Sequence, residues 1–169
     1  IYRSPVLEQD EYERLYDNYD TDVFAEQTPD EYFDKIISLP KGKSENREKA
    51  IWLKKVLIKI QGCKNPKILD IGCGGGTLLH VLGEELSPQS MSGVELNQAY
   101  AELAQSRLDA DIRNISYKSN IFGEQFDILI NTKVLEHIPD PLPFLQEMFH
   151  DLVDDGILFI EVPDISDMY

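Results

Sequence analysis

The stretch Lys67-Ile-Leu-Asp-Ile-Gly-Cys-Gly-Gly-Gly76 constrains this chain more than any other. A short apolar run that ends in a glycine-dense turn reads as a buried strand whose tip is left bare of side chains. Glycine lets backbone come close to a ligand where any side chain would collide, and it tolerates positive φ. About one strand–helix–strand repeat later, Met91-Ser-Gly-Val-Glu95 reads as a second strand ending in a carboxylate. That carboxylate can accept both hydroxyls of a ribose. Strand, glycine turn, helix, strand and acid together describe a nucleotide-type cradle in a parallel α/β sheet.

The glycine spacing narrows the ligand. Dinucleotide sites favour G-x-G-x-x-G, with the pyrophosphate seated on the following helix N-terminus. Here Gly72, Gly74, Gly75 and Gly76 fall as G-x-G-G-G, and Thr77 stands where the third dinucleotide glycine would be. Asp70 also lies two residues before the first glycine, where an anionic pyrophosphate would be repelled and a cationic ligand welcomed. At these residues the chain resembles motif I of the class I S-adenosylmethionine-dependent methyltransferases, whose ligand carries a sulfonium and an ammonium.

Further segments match in family order. Phe126-Asp-Ile-Leu-Ile-Asn-Thr-Lys-Val-Leu-Glu-His-Ile-Pro-Asp140 resembles the fourth strand and its following loop. Leu152-Val-Asp-Asp-Gly-Ile-Leu-Phe-Ile-Glu-Val-Pro163 resembles a helix end, glycine turn and fifth strand. The likeness runs over roughly residues 47 to 163 and is closest to the small-molecule branch. It implies a Rossmann-like three-layer sandwich with a mostly parallel sheet, lacking the family's last two strands and carrying an N-terminal helical cap. The implied division is a cap over residues 1–43 and a cofactor-binding α/β unit over 44–169, C-terminally incomplete as in a fragment.

The resemblance also implies a site. Gly72, Gly74 and Gly76, with Cys73 between them, would bring backbone against the methionine part of the cofactor, and Asp70 would sit near its ammonium. Glu95 would take the ribose, Leu96 would pack on the adenine, and Asn120 with Ile121 would meet the adenine edge. Asn120 replaces an acid usual in the family, and its side-chain amide can still accept or donate there. Asn131 either lines the methionine side or caps its own loop, and Tyr19 of the tyrosine-rich N-terminal segment can close over the cofactor. His137 is the candidate general base, with bracing of its loop the favoured role; Lys133 can face the substrate mouth, a solvated loop lysine being the commoner case. Direct displacement needs no obligatory proton transfer, since the cofactor carries the activated methyl group.

Charge decides what the partner is not. With 16 basic against 31 acidic residues the formal net charge is −15, which disfavours nucleic acid and anionic membranes and favours a small-molecule acceptor. Cys63 and Cys73 are too few for a disulfide framework, and no His or Cys spacing suggests a metal. No apolar run reaches membrane-spanning length and no signal peptide opens the chain, so a cytoplasmic protein is expected.

Caps and periodicity predict the elements. Tyr12, Leu15, Tyr16 and Tyr19 fall at helical spacing; Thr28-Pro-Asp-Glu31 is a capping box ahead of Phe33, Ile36 and Ile37. Ser44 can cap a helix with Trp52, Val56 and Ile60 as its stripe, widened by Leu53 and Leu57. Strands are predicted at 67–71, 91–95, 114–118, 126–131 and 157–162. Between them lie helices with Leu78, Leu79, Leu82 and Leu86, then Tyr100, Leu103, Ala104 and Leu108. A last helix runs from Pro141 to near Gly156 with Leu142, Leu145, Phe149 and Leu152 inward. An open edge on the fifth strand would invite a partner or a second copy. Two other classes remain at this point: a non-catalytic module of the same fold, and a nicotinamide-dependent enzyme, against which the glycine spacing and Asp70 count.

Overall fold

A computed structural model describes residues 28–60 and 64–163. Five strands, β1 (Lys67–Ile71), β2 (Ser90–Val94), β3 (Asp111–Arg113), β4 (Phe126–Thr132) and β5 (Leu152–Glu161), form one sheet. Their order is β3-β2-β1-β4-β5, and every pairing is parallel. Five helices accompany them: α1 (Pro29–Ile37), α2 (Glu45–Ile60), α3 (Thr77–Leu86), α4 (Gln98–Arg107) and α5 (Pro141–His150). The strand order reverses between β1 and β4, and in open α/β sheets ligands bind outside the carboxyl ends of the strands at such a switch point.

Strand alternation divides the core in two. Ile68, Ile128, Ile130 and Ile157 face α2, α3 and α4 through Leu53, Leu57, Leu79, Leu82 and Ala104. Leu69, Ile71, Val94, Phe126 and Leu129 face Met148 of α5 and the buried ring of Tyr117. Parallel strands covered on both faces carry near-continuous apolar runs, as Ile128-Leu129-Ile130 does.

Several predicted boundaries hold. β1 lies where expected, Thr28 and Glu31 form a complete capping box with Pro29 entering α1, and Arg47 N–H donates to the Ser44 hydroxyl at 3.3 Å. Asn97 caps α4 by accepting from Tyr100 N–H at 3.2 Å.

Others are corrected. The third strand is Asp111–Arg113 and not 114–118, because only Asp111, Ile112 and Arg113 pair with Ser92, Gly93 and Val94. From Asn114 the chain leaves the sheet, the Asn114 amide satisfying backbone carbonyls of the neighbouring loop. α5 stops at His150, well short of Gly156. Leu152 already pairs with Phe126, and the register shift before Ile157 absorbs the Gly156 turn. Met148 is the buried residue of α5, with Phe144 and Leu145 against the same cluster, while Leu142 and Phe149 are exposed. On α2 the buried centre is Ala50, Leu53 and Leu57, and Trp52 is half-exposed.

The described part of the expected cap, residues 28–43, lies against the α/β unit at α3 and α4. Phe33 is buried there, its ring edge-on to His80 at 5.6 Å and under the Arg107 guanidinium at 5.4 Å. Arg107 also pairs with Asp30 at 2.7 Å and Asp34 at 3.3 Å. The predicted helix around Tyr12 to Tyr19, Tyr19 itself and Cys63 lie outside the described residues.

Candidate cofactor site

The carboxyl tips of β2, β1 and β4 stand side by side, and the glycine turn is stitched to the end of β2. Gly72 and Cys73 N–H both donate to the Val94 carbonyl, at 2.9 and 3.0 Å, tying the end of β1 to the end of β2. The glycines then divide by task. A Cβ on Gly72 would overlap the Val134 side chain, so its bareness admits the loop after β4. A Cβ on Gly76 would meet Leu108 and Ala104, so that glycine serves helix packing. Gly74 alone of the three faces open space, at φ +53°. The three glycines thus differ in what a side chain would meet there, and all three present backbone at the turn. The Cys73 side chain is buried in the core cluster against Gly93, where burial and then the nearby Asp70 and Glu95 charges push its thiol up.

Two buried oxygens at neighbouring tips lack any hydrogen-bond donor. Asp70, on β1, is 1% exposed and its Oδ1 has no partner. Burial first, then the Glu95 charge, push its carboxyl up to about 7, against a pull from Lys49. Asn131, on β4, is fully buried; its Nδ2 donates to the Ile71 carbonyl at 3.2 Å and its Oδ1 is unpartnered. Asn131 thus braces the end of β1 with one atom and leaves an acceptor with the other. Orphaned buried acceptors are uncommon in folded proteins and call for a donor. Two of them flanking a switch point suit a cationic donor such as an ammonium.

Glu95 is held from two sides. Its Oε2 accepts Gly74 N–H and its Oε1 accepts Asn97 N–H, both at 2.8 Å. Leu96 follows it, half-buried.

Asn120 is tied to the other end of the sheet. Asn120 N–H donates to Asp151 Oδ1 at 2.8 Å, and Asp151 immediately precedes β5 at the amino edge of the sheet. Tyr117 hydroxyl donates to the other Asp151 oxygen at 2.9 Å, fixing the same end. Ile121 packs on the second core cluster while its carbonyl accepts from Arg113 at 2.6 Å. The chain from β3 to β4 has no helix, and the bond to Asp151 ties Asn120 to the amino end of β5.

The loop after β4 does border the site. His137 ends a single 3₁₀ turn, Leu135–His137, and its Nε2 lies 3.9 Å from Glu136 Oε1. Its N–H donates to the Val134 carbonyl at 2.9 Å, which holds the turn that places Val134 over Gly72. Lys133 N–H donates to the Glu161 carbonyl at 2.8 Å.

Sequence reading missed two contributors. Lys49 Nζ bridges Glu45 at 2.8 Å and Glu161 at 2.8 Å, linking α2 to the end of β5. Burial opposes its charge, but the hydrogen bonds to Glu161 and Glu45 outweigh that and hold its pKa above the ordinary value. Nothing in a helix rich in lysines singles it out. Asn114 is the other, and its signal was a polar side chain one residue beyond a short edge strand.

A parallel sheet with a bare glycine tip, an acid on the adjoining strand and unpartnered acceptors at the switch point defines a nucleoside-cofactor α/β fold. The chain belongs to the methyltransferase-domain family, whose model matches residues 24–168. A ubiquinone biosynthesis O-methyltransferase of Ruegeria pomeroyi is 39% identical over 98 residues, covering 56% of this chain and 39% of that protein. One from Actinobacillus pleuropneumoniae is 29% identical over 112 residues, covering 60% and 47%. The chain thus spans less than half the length of these curated relatives. A sugar N-methyltransferase from a Streptoalloteichus species shares the fold with a TM-score of 0.66 at 21% identity, covering 85% of this chain and 56% of that one. Among the described residues no cluster of His, Cys, Asp or Glu could hold a metal, and no helix is long and apolar enough to cross a membrane.

Proposed function

We propose that this chain is the cofactor-binding part of an S-adenosylmethionine-dependent methyltransferase acting on the oxygen, nitrogen or carbon nucleophile of a small molecule. The observation that carries the reading is the buried, unpartnered Asp70 Oδ1 beside Glu95 at the tip of β1. An ammonium donor would satisfy it, and a pyrophosphate would be repelled by both carboxylates. When bound, the cofactor would supply a methyl group already activated as a sulfonium, transferred by direct displacement.

The protein's own work is then orientation and exclusion of water. Glu95 would hold the ribose hydroxyls, while Leu96 would cover the base. Asp70 and Asn131 would fix the amino-acid end. The Val134 side chain, seated on Gly72, closes one wall of the crevice. His137 stands on that loop; we assign it to bracing the turn. The names of the curated relatives support an oxygen acceptor, and the acidic balance supports a metabolite over a nucleic acid.

Calorimetric titration with S-adenosylhomocysteine and, separately, NADH tests the reading. Saturable binding of the first and none of the second is expected. Binding of NADH alone would overturn it, and binding of neither would favour a module without cofactor.

A further inference from the structure

The loop that carries Glu95 runs beside the end of the short strand β3. β2 ends at Val94, β3 is three residues long, and after the Val94–Arg113 pair the backbone bridge is Glu95 N–H to the Arg113 carbonyl at 3.1 Å. The carbonyls of Glu95 and Leu96 then point past the end of the ladder. Asn114 meets both: its Nδ2 donates to the Glu95 carbonyl at 2.8 Å and to the Leu96 carbonyl at 2.7 Å. A primary amide nitrogen has two protons, and here both are spent on consecutive carbonyls.

We propose that Asn114 is a cofactor-positioning residue, acting through the Glu95–Leu96 backbone that its amide clamps. The inference rests on the reading of Glu95 as the ribose acceptor. The clamp fixes the backbone from the outer side while Gly74 and Asn97 fix the carboxylate from the inner side. Together they set where the ribose oxygens would have to lie. Asp at this position could not reproduce it, since an ionised carboxylate only accepts and would face two carbonyls and the Glu95 charge. Ser or Ala would leave one or both carbonyls to water. Because Asn114 is exposed, water replaces its hydrogen bonds at small cost to folding. Its loss should therefore show in ligand affinity more than in stability.

The test is a double-mutant cycle on the whole chain, read by calorimetric titration with S-adenosylhomocysteine and by thermal unfolding. Asn114→Ala should weaken binding by about tenfold, as the Glu95 carboxylate loses its fixed position, with little change in Tm. In a Glu95→Gln background the same substitution should weaken binding much less, because the group it positions is already impaired. Asn114→Asp, isosteric and exposed, should bind no better than Asn114→Ala. Unchanged affinity in Asn114→Ala, or an equal loss in both backgrounds, would overturn the positioning role. Failure of the unsubstituted chain to bind S-adenosylhomocysteine would instead overturn the cofactor reading beneath it.

Discussion

Asp70 shows how a residue visible in sequence acquires its meaning only from burial. Its place before the glycines suggested a cation, but the raised pKa follows from the closed environment and from Glu95, neither of which spacing can report. For a carboxyl whose folded pKa is raised, the contribution to stability is fully present below about 4, the unfolded value, and is lost as pH rises through about 7. Thermal unfolding of Asp70→Asn against the parent should therefore show the parent losing relative stability between those limits; a parent that gains would contradict the assignment. A cationic ligand favours the ionised form, so affinity for S-adenosylmethionine should rise with pH from about 6 to 8 and flatten in Asp70→Asn. Glu95→Ala should weaken S-adenosylhomocysteine by on the order of 10- to 100-fold, the value of a charge-assisted bidentate hydrogen bond, and unchanged affinity with an intact fold would sink its role. Glu95 was legible because an acid after an apolar strand is a local pattern. Asn120 was less legible, because its bond to Asp151 comes from far along the chain and no local pattern encodes it.

At the scale of elements, the glycine turn separates into two kinds of position that the sequence renders alike. Gly72→Ala would force a methyl against Val134 at φ +79°, whereas Gly74→Ala places one in open space at φ +53°. Gly72→Ala should cost on the order of 1–3 kcal/mol or more of stability from strain and overlap. Gly74→Ala should cost about 1 kcal/mol and chiefly obstruct the ligand. Denaturant unfolding paired with ligand titration would separate them; equal stability losses would show that Gly72 is not packed as described. Caps were legible for the same local reason: Thr28 and Ser44 act as read. The end of α5 was not, since Leu142, Leu145 and Phe149 keep helical spacing while the buried face is set by Met148 against the sheet. Periodicity shows that a helix has an apolar side, and contact with the sheet decides which residues occupy its centre.

For the molecule as a whole, composition and motif order were enough for the sheet and its two covered faces, because alternating strands and helices admit few topologies. Composition also bears on stability. A formal net charge of −15 implies self-repulsion in the compact state. Raising sodium chloride until the Debye length falls below about 8 Å should raise Tm by roughly 3 °C, and a lowered Tm would show that ion pairs such as Lys49 with Glu161 dominate instead. The most direct test of the central claim is an amide-resolved NMR titration with S-adenosylhomocysteine. A ligand at the tips of β1, β2 and β4 should shift Gly74 and Asn97 most, since their N–H groups share Glu95 with the ribose, and leave Asn120 and Gly123 in place. Shifts gathered at the amino edge around Asn120, with Gly74 and Asn97 unmoved, would contradict the account.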